Sequence, residues 1–474
     1  MDKLTKVLKD KFGYDSFRNG QKEIIEQVIA GRDVVAILPT GMGKSLLYQL
    51  PAYMMEGTVV VVSPLLSLMQ DQVEQLKMIG EKSVIAINSF LTFEQREFAF
   101  RHLSFYKFIF TSPEMLQNER FNKALEEIRI AYIVADEAHC ISQWGFDFRP
   151  DYLRIARWLK IFRATNVLAL TATATRTVVE DIKTTLLMKE PYEYIHSVDR
   201  PSIAYEVKQM ANQQEKLAWI IDRITNTGGP GIVYTQSRKK TEMYAKELRN
   251  RGVRCAFYHA KMEQEDRILV QQQFQQGQLD WICATNAFGM GIHKDNIRQI
   301  IHDHIPTSVA SYMQEVGRAS RDGKQAIASL LYTTSDVEQA FYVSMQDFPE
   351  ETDIQLIYQT DNFQLQLPET TERILNYWKE ELTEQETIHL FQNIKQKKWV
   401  EIQALYNIIH NELCIREQLL HFFDEQLIDR PINCCSKCLL NLEELLESKK
   451  QTHETSEHFN WKYRLDELLQ SYNL

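Results

Sequence analysis

The chain has 474 residues, 44% hydrophobic and 25% charged, with a formal net charge of −10 and a pI near 5.7. That length asks for about three domains of ordinary globular composition; no apolar run approaches the ~18 residues of a membrane span, and the start runs straight into an amphipathic pattern without a signal-like apolar core. Seven cysteines, with Cys140, Cys255 and Cys283 scattered through expected core, argue against a disulfide framework and for a cytosolic protein.

The charge is unevenly divided. Residues 336–474 hold 12 basic and 26 acidic side chains, leaving 42 and 38 for the first 335. A polyanion is therefore expected to bind the first part through local basic grooves and to be repelled by the acidic remainder.

In chain order, residues 1 to 30 predict one or two helices carrying Phe12 to Gln21. Tyr14, Arg18 and Gln21 combine an aromatic face, a cation and an amide that could read adenine by stacking and by its N6/N7 edge. Next, Asp33 to Leu38 reads as a buried strand and Ser45 to Leu50 as a helix start. Between them Leu38-Pro39-Thr40-Gly41-Met42-Gly43-Lys44-Ser45 has the character of a phosphate-binding loop. Glycines 41 and 43 let backbone N–H groups turn inward, Lys44 reaches the terminal phosphates, and Ser45 offers a magnesium ligand. Leu38 stands where the general pattern has glycine, so the loop is a variant form.

From 57 to 175 short apolar runs alternate with helical patterns: Thr58 to Val62, Val84 to Ile87, Phe108 to Thr111, Ala131 to Ala135 and Val167 to Leu170. This predicts a parallel sheet covered by helices. Asp136-Glu137-Ala138-His139 closes the fourth run, where Asp136 is expected to orient magnesium and Glu137 to accept the proton of an attacking water. Immediately after, Cys140 to Tyr152 carries four aromatics within nine positions around Arg149. Gln143, Trp144, Phe146, Phe148 and Arg149 suit a loop that stacks unpaired bases and holds phosphate. A hydrophobic plug between sheet and helix fits the same composition, and both readings stand open here.

Past a connector from His196 to Val207, strand-like runs recur at Gly231 to Thr235, Arg254 to Tyr258, Trp281 to Ala284 and Ile297 to His302. They predict a second domain of the same type. It lacks a phosphate loop but ends in Gln314 to Gly323, where Arg318 and Arg321, three apart, are expected on one helical face, reaching across a cleft toward phosphate. A surface ion-pair ladder is the alternative for that pair.

Together these stretches resemble the RecQ family of superfamily 2 DNA helicases, over about residues 8 to 335 plus a late cysteine cluster. The segment Phe12 to Gln21 is similar to the family's adenine-reading segment, Thr40 to Ser45 to motif I, Ser63 to Gln72 to motif Ia, Asp136 to His139 to motif II and Thr171 to Ala174 to motif III. The stretch after His139 resembles the aromatic-rich loop that couples single-strand binding to ATP hydrolysis, Phe288 to Ile292 motif V, and Gln314 to Gly323 motif VI. The resemblance implies two tandem RecA-like domains, at 1–200 and 201–335, and ATP- and magnesium-driven 3′ to 5′ movement on single-stranded DNA with unwinding of tailed duplexes. It implies catalytic roles for Lys44, Asp136, Glu137, Gln314, Arg318 and Arg321, and nucleotide contacts from Tyr14, Arg18, Gln21, Thr40, Gly41, Gly43, Lys44 and Ser45. DNA repair or recombination is the expected setting, with a cytoplasmic protein, nucleoid-associated in a bacterium, expected as a monomer. Met42 and Ser320 replace usual glycines, Phe146 a usual histidine and His293 a frequent aspartate.

The remainder matches less fully. Residues 336–445 read as a helical zinc-binding domain, with a break at Leu367-Pro368-Glu369. Cys414, predicted on a helix, and Cys434, Cys435 and Cys438 are expected to hold a structural zinc ion; the Cys435 to Cys438 pair has knuckle spacing. Cys434 is the open position, with His410, His421 or water as alternatives for the fourth ligand. The stretch after Cys438 is too short for the family's winged-helix and HRDC modules, so a short form is expected. A polar linker and a short amphipathic helix from Trp461 to Leu469 could meet a protein partner. An ATP-gated DNA-binding or annealing protein with weak unwinding, or an RNA helicase, are the alternatives in function.

Overall fold

The computed structural model describes residues 2–64, 66–88, 91–142, 150–162, 165–289, 294–346, 348–359, 367 and 369–446. Two parallel sheets dominate. The first is built from β1 (Val34–Ile37), β2 (Thr58–Val62), β3 (Val84–Ile87), β4 (Phe108–Thr111), β5 (Ile130–Ala135), β6 (Val167–Thr171) and β7 (Tyr192–Ile195), in the order β3-β4-β2-β5-β6-β1-β7. Its central strands are continuous apolar runs because helices cover both faces, and alternate side chains feed two separate cores. Val34 and Ala36 pack with Ile24, Leu47 and Tyr132, whereas Val35 and Ile37 pack with Ile133, Tyr152 and Trp158. Leu38, at the glycine position of the general loop pattern, is fully buried and donates its N–H to Thr171, extending β1.

The second sheet comprises β8 (Ile203–Gln209), β9 (Gly231–Tyr234), β10 (Cys255–Tyr258), β11 (Trp281–Ala284), β12 (Gln299–His302) and β13 (Ala326–Tyr332), ordered β10-β11-β9-β12-β13-β8. The stretch expected as a connector is thus partly sheet: β8 pairs in parallel with β13 over seven residues. Strands β7 and β13 likewise add to the runs expected from the hydrophobic pattern. The alternation of Tyr205 and Glu206 hides β8, because a buried Glu206 breaks the apolar pattern; it is held there by Arg223 at 3.1 Å and Ser329 at 2.7 Å.

The C-terminal part is helical, as expected, but it packs in two directions. The helix Glu384–His410 contributes Ile402, Leu405, Ile408 and Ile409 to the core that also contains Ile232, Ile300 and Tyr312 of the second sheet region. Its first half instead joins Ile354, Leu375 and Trp378 in a small separate cluster, against which Leu153 of the first domain packs. Beyond the cysteines, Leu442 and Leu445 pack near Ala204 and Ile327.

Candidate functional site

The chemistry gathers at the C-terminal ends of the first sheet's strands, where an open parallel sheet presents loops to ligands. After β1, Gly41 and Gly43 take φ of 89° and 76°, left-handed values that suit glycine. Ser45 then occupies the N-cap of the helix Leu46–Ala52 without its hydroxyl capping that helix. After β5, Asp136 is fixed by its backbone, its N–H donating to Val62 and its carbonyl accepting from the buried Tyr152 hydroxyl at 2.7 Å. Tyr152 is therefore a core residue, so the plug reading holds for that aromatic. Because β6 lies between β5 and β1, the two loops meet above Thr171.

There Lys44 Nζ stands 3.6 Å from Glu137 Oε1, and His139 Nδ1 lies 3.4 Å from Glu137 Oε2 and 2.8 Å from the Thr171 hydroxyl. Glu137 sits in the left-handed region at φ 47°, a conformation uncommon for a residue other than glycine. Neither Lys44 Nζ nor Glu137 Oε2 forms a hydrogen bond among the described residues. Buried charges at such distances are costly unless another group completes them. Burial, and next the adjacent Glu137 carboxylate, push Asp136 above the usual carboxylate range, while Lys44 opposes the rise.

A cleft of about 550 Å³ is lined by Tyr14, Arg18, Gln21, Thr40, Gly41, Gly43, Lys44, Ser45, Asp136 and Glu137 and, from the second domain, by Gln314, Arg318 and Arg321. Its size suits a nucleotide-scale ligand. Tyr14 is 58% exposed at this cleft. Gln21 is already engaged: its Nε2 donates to Met42 O at 2.9 Å and its Oε1 accepts from the Arg18 N–H at 2.9 Å. The Arg18 guanidinium donates to Gly41 O. Both side chains brace the phosphate loop in this state.

Across the cleft the domains touch. The Thr40 hydroxyl donates to Gly317 O at 2.8 Å, and the Arg321 stem covers Gly41 so closely that a Cβ there would fall 2.9 Å from Arg321 Cγ. Arg318 donates to Gly289 O. The expectation that these arginines share a helical face is corrected: the helix Val309–Val316 ends with Gly317 as its C-cap, and both arginines lie in the following turn. Ser320, which replaces a usual glycine, has φ 55° there and holds the turn through its hydroxyl to Ser202 at 2.6 Å. Burial, then Arg318, lower the Arg321 guanidinium to about 10, leaving it charged at neutral pH.

The four late cysteines converge, with sulfurs within 4.8 Å of one another; Cys434 and Cys435 lie 3.7 and 3.9 Å from Cys414. A tetrahedral site with Zn–S of ~2.3 Å spaces its sulfurs about 3.8 Å apart, so this donor set fits zinc. Cys414 is the N-cap of the helix Ile415–Phe422 rather than a residue within it. His410 is engaged elsewhere, 3.2 Å from the Tyr332 hydroxyl and stacked on Tyr406. The knuckle backbone pairs with β8, Tyr205 donating to Cys434 O at 3.2 Å and Ser436 to Tyr205 O at 2.8 Å.

Several expectations concern residues outside those described: Gln143, Trp144, Phe146, Phe148 and Arg149 of the aromatic stretch, His293 with most of the motif V segment, and the tail from 447 onward.

Two tandem parallel sheets with a phosphate loop and paired carboxylates facing arginines across one cleft are the arrangement of a two-domain ATPase. Family models agree: residues 18–182 match "DEAD/DEAH box helicase" and residues 215–323 "Helicase conserved C-terminal domain". The chain is 40% identical to the probable ATP-dependent DNA helicase RecS of Bacillus subtilis, covering 98% of this chain and 97% of that one. It is 38% identical to the ATP-dependent DNA helicase RecQ of Haemophilus influenzae over 91% of this chain, spanning 63% of that longer protein. Among solved structures, the DUF1998 helicase MrfA bound to DNA aligns with a TM-score of 0.60 at 19% identity over 73% of this chain and 53% of that one, a likeness of fold. The chain belongs to the RecQ/RecS family of ATP-dependent DNA helicases.

Proposed function

We propose that this helicase moves 3′ to 5′ on single-stranded DNA and opens tailed duplexes, in repair or recombination, through domains at 1–200, 201–335 and 336–445. The observation that carries the reading is the under-partnered Lys44–Glu137 pair facing Arg318 and Arg321 over one cleft. Terminal phosphates of ATP would draw Lys44 away from Glu137, freeing that carboxylate to accept the proton of the attacking water. Ser45 and Asp136 would hold magnesium, which supplies charge neutralisation at the phosphates. Burial and the Glu137 carboxylate work against ionisation of Asp136, and a divalent cation held there would favour its charged form. Tyr14 would stack on the adenine while Arg18 and Gln21 face its edge. Arg318 and Arg321, with Gln314 beside them, would stabilise charge developing on the transferred phosphoryl group.

Trp144, Phe146 and Phe148, flanked by Gln143 and Arg149, are proposed to stack and hold single-stranded DNA, linking its binding to hydrolysis. Cys414, Cys434, Cys435 and Cys438 would hold a structural zinc, with Cys434 as fourth ligand because its sulfur lies in the cluster, 3.7 Å from that of Cys414. The monomer is proposed as the active unit, and the tail beyond 446 as a contact for a partner protein.

Strand displacement on 3′-tailed, 5′-tailed and blunt DNA, repeated with RNA, tests this reading. Unwinding confined to 3′-tailed DNA is expected; equal unwinding of 5′-tailed substrates, or of RNA, would overturn it.

A further inference from the structure

We infer that Arg200 is a positioning residue for ATP hydrolysis, holding the turn that carries Arg318 and Arg321. This rests on the proposed role of those two arginines. Arg200 lies in the short link between the sheets, after β7 and before β8, and lines a small interdomain cavity with Thr40, Thr173, Met313 and Gly317. Its guanidinium donates to three backbone carbonyls of the turn: Gly317 at 3.4 Å, Ala319 at 3.3 Å and Ser320 at 2.7 Å. These acceptors bracket Arg318 and end one residue before Arg321. They also include the last carbonyls after the helix Val309–Val316, where the helix dipole favours a cation. The Gly317 carbonyl is shared with Thr40 of the phosphate loop, so one atom is held from the first domain and from the link at once.

Arg200 is itself anchored. Arg416, almost wholly buried, donates to Asp199, to Arg200 O and to Ile203 O, and its guanidinium lies over the Tyr205 ring. Arg416 stands two positions after Cys414, so the helix that begins at the cysteine cluster also carries the side chain that holds the link behind the arginine turn. A planar guanidinium reaches three carbonyls together; an ammonium, a point donor on a flexible stem, does not hold that array. Losing Arg200 lets the turn relax, and a shift of about 1 Å in a positioned catalytic group costs ~10²-fold in rate.

The test uses the full chain with saturating single-stranded DNA, measuring kcat and KM for ATP, melting temperature and zinc content for Arg200→Ala, Arg200→Lys, Arg321→Ala and the double Arg200→Ala/Arg321→Ala. Arg200→Ala is expected to lose ~10²-fold in kcat with KM moved less than about 3-fold and zinc retained. The double variant is expected to lose clearly less than the product of the two single losses, because part of the Arg200 effect passes through Arg321 and the rest through Arg318. Losses that multiply in the double variant, or an Arg200→Ala kcat within about 3-fold of the parent, overturn the inference. If Arg321→Ala alone keeps the parent's kcat, the arginine-finger reading fails and the positioning role falls with it. Should Arg200→Ala not fold, Arg200→Lys decides, and a parent-like kcat there counts against the inference.

Discussion

The two sheets share one architecture and treat the charged groups at their strand ends in opposite ways. At the first, Lys44 and Glu137 face each other at 3.6 Å without completing hydrogen bonds among the described residues. At the second, the fully buried Lys216 donates to Asp336 and to Asp303 O, and Lys240 donates to Asp303 at 2.8 Å. The same expensive groups are left under-partnered in one domain and paired in the other. A ligand is expected to complete the first set, whereas in the second each ammonium donates directly to a carboxylate of the fold, with only Asp303 Oδ1 of those carboxylates left without a hydrogen bond among the described residues.

Variants at the two places should therefore fail differently. The largest effect is expected from Glu137→Gln, which removes the proton acceptor: ATP turnover should fall ~10²–10⁴-fold while binding of an ATP analogue and the melting temperature are kept. Steady-state hydrolysis and calorimetric melting check both halves, and unfolding with turnover retained would break the contrast. Lys44→Ala should cost ~10²–10³-fold in turnover, with single-strand affinity within about 3-fold by fluorescence anisotropy. Lys216→Ala should behave in the reverse sense. It strands Asp336 as an unpaired buried charge, at a cost of about 3–5 kcal/mol in stability, while turnover per folded molecule stays within about 3-fold. A chemical-denaturation curve paired with an ATPase assay separates those outcomes. Truncation after Leu446 is the smallest: the acidic tail has too few cations to make many phosphate contacts, so single-strand affinity should stay within about 2-fold. The cut belongs there rather than after Leu440, because Leu442 and Leu445 pack beside Ala204 and Ile327.

The first sheet was readable in outline because its strands are uninterrupted apolar runs: Thr58–Val62, Val84–Ile87 and Phe108–Thr111 begin and end as the hydrophobic pattern predicts. Strand β8 was not readable, since the buried Glu206 inside it takes its hydrogen bonds from Arg223 and Ser329, 17 and 123 residues away. Arg318 and Arg321 were identified as a pair, but helical spacing put them on a helix that ends at Val316.

Sequence alone determined the residue types of the chemistry, the two repeated α/β patterns and the cysteine spacing, because glycine turns, apolar periodicity and ligand identity are local properties. Tertiary structure decided which charges remain under-partnered, that the late helix Glu384–His410 shares a core with the second sheet, and that Cys434 joins the cluster. It alone brought Arg200 to the turn 117 residues further on. Those facts depend on contacts between residues far apart in the chain, and hydrogen-bond satisfaction in a buried space is set by every element that closes it.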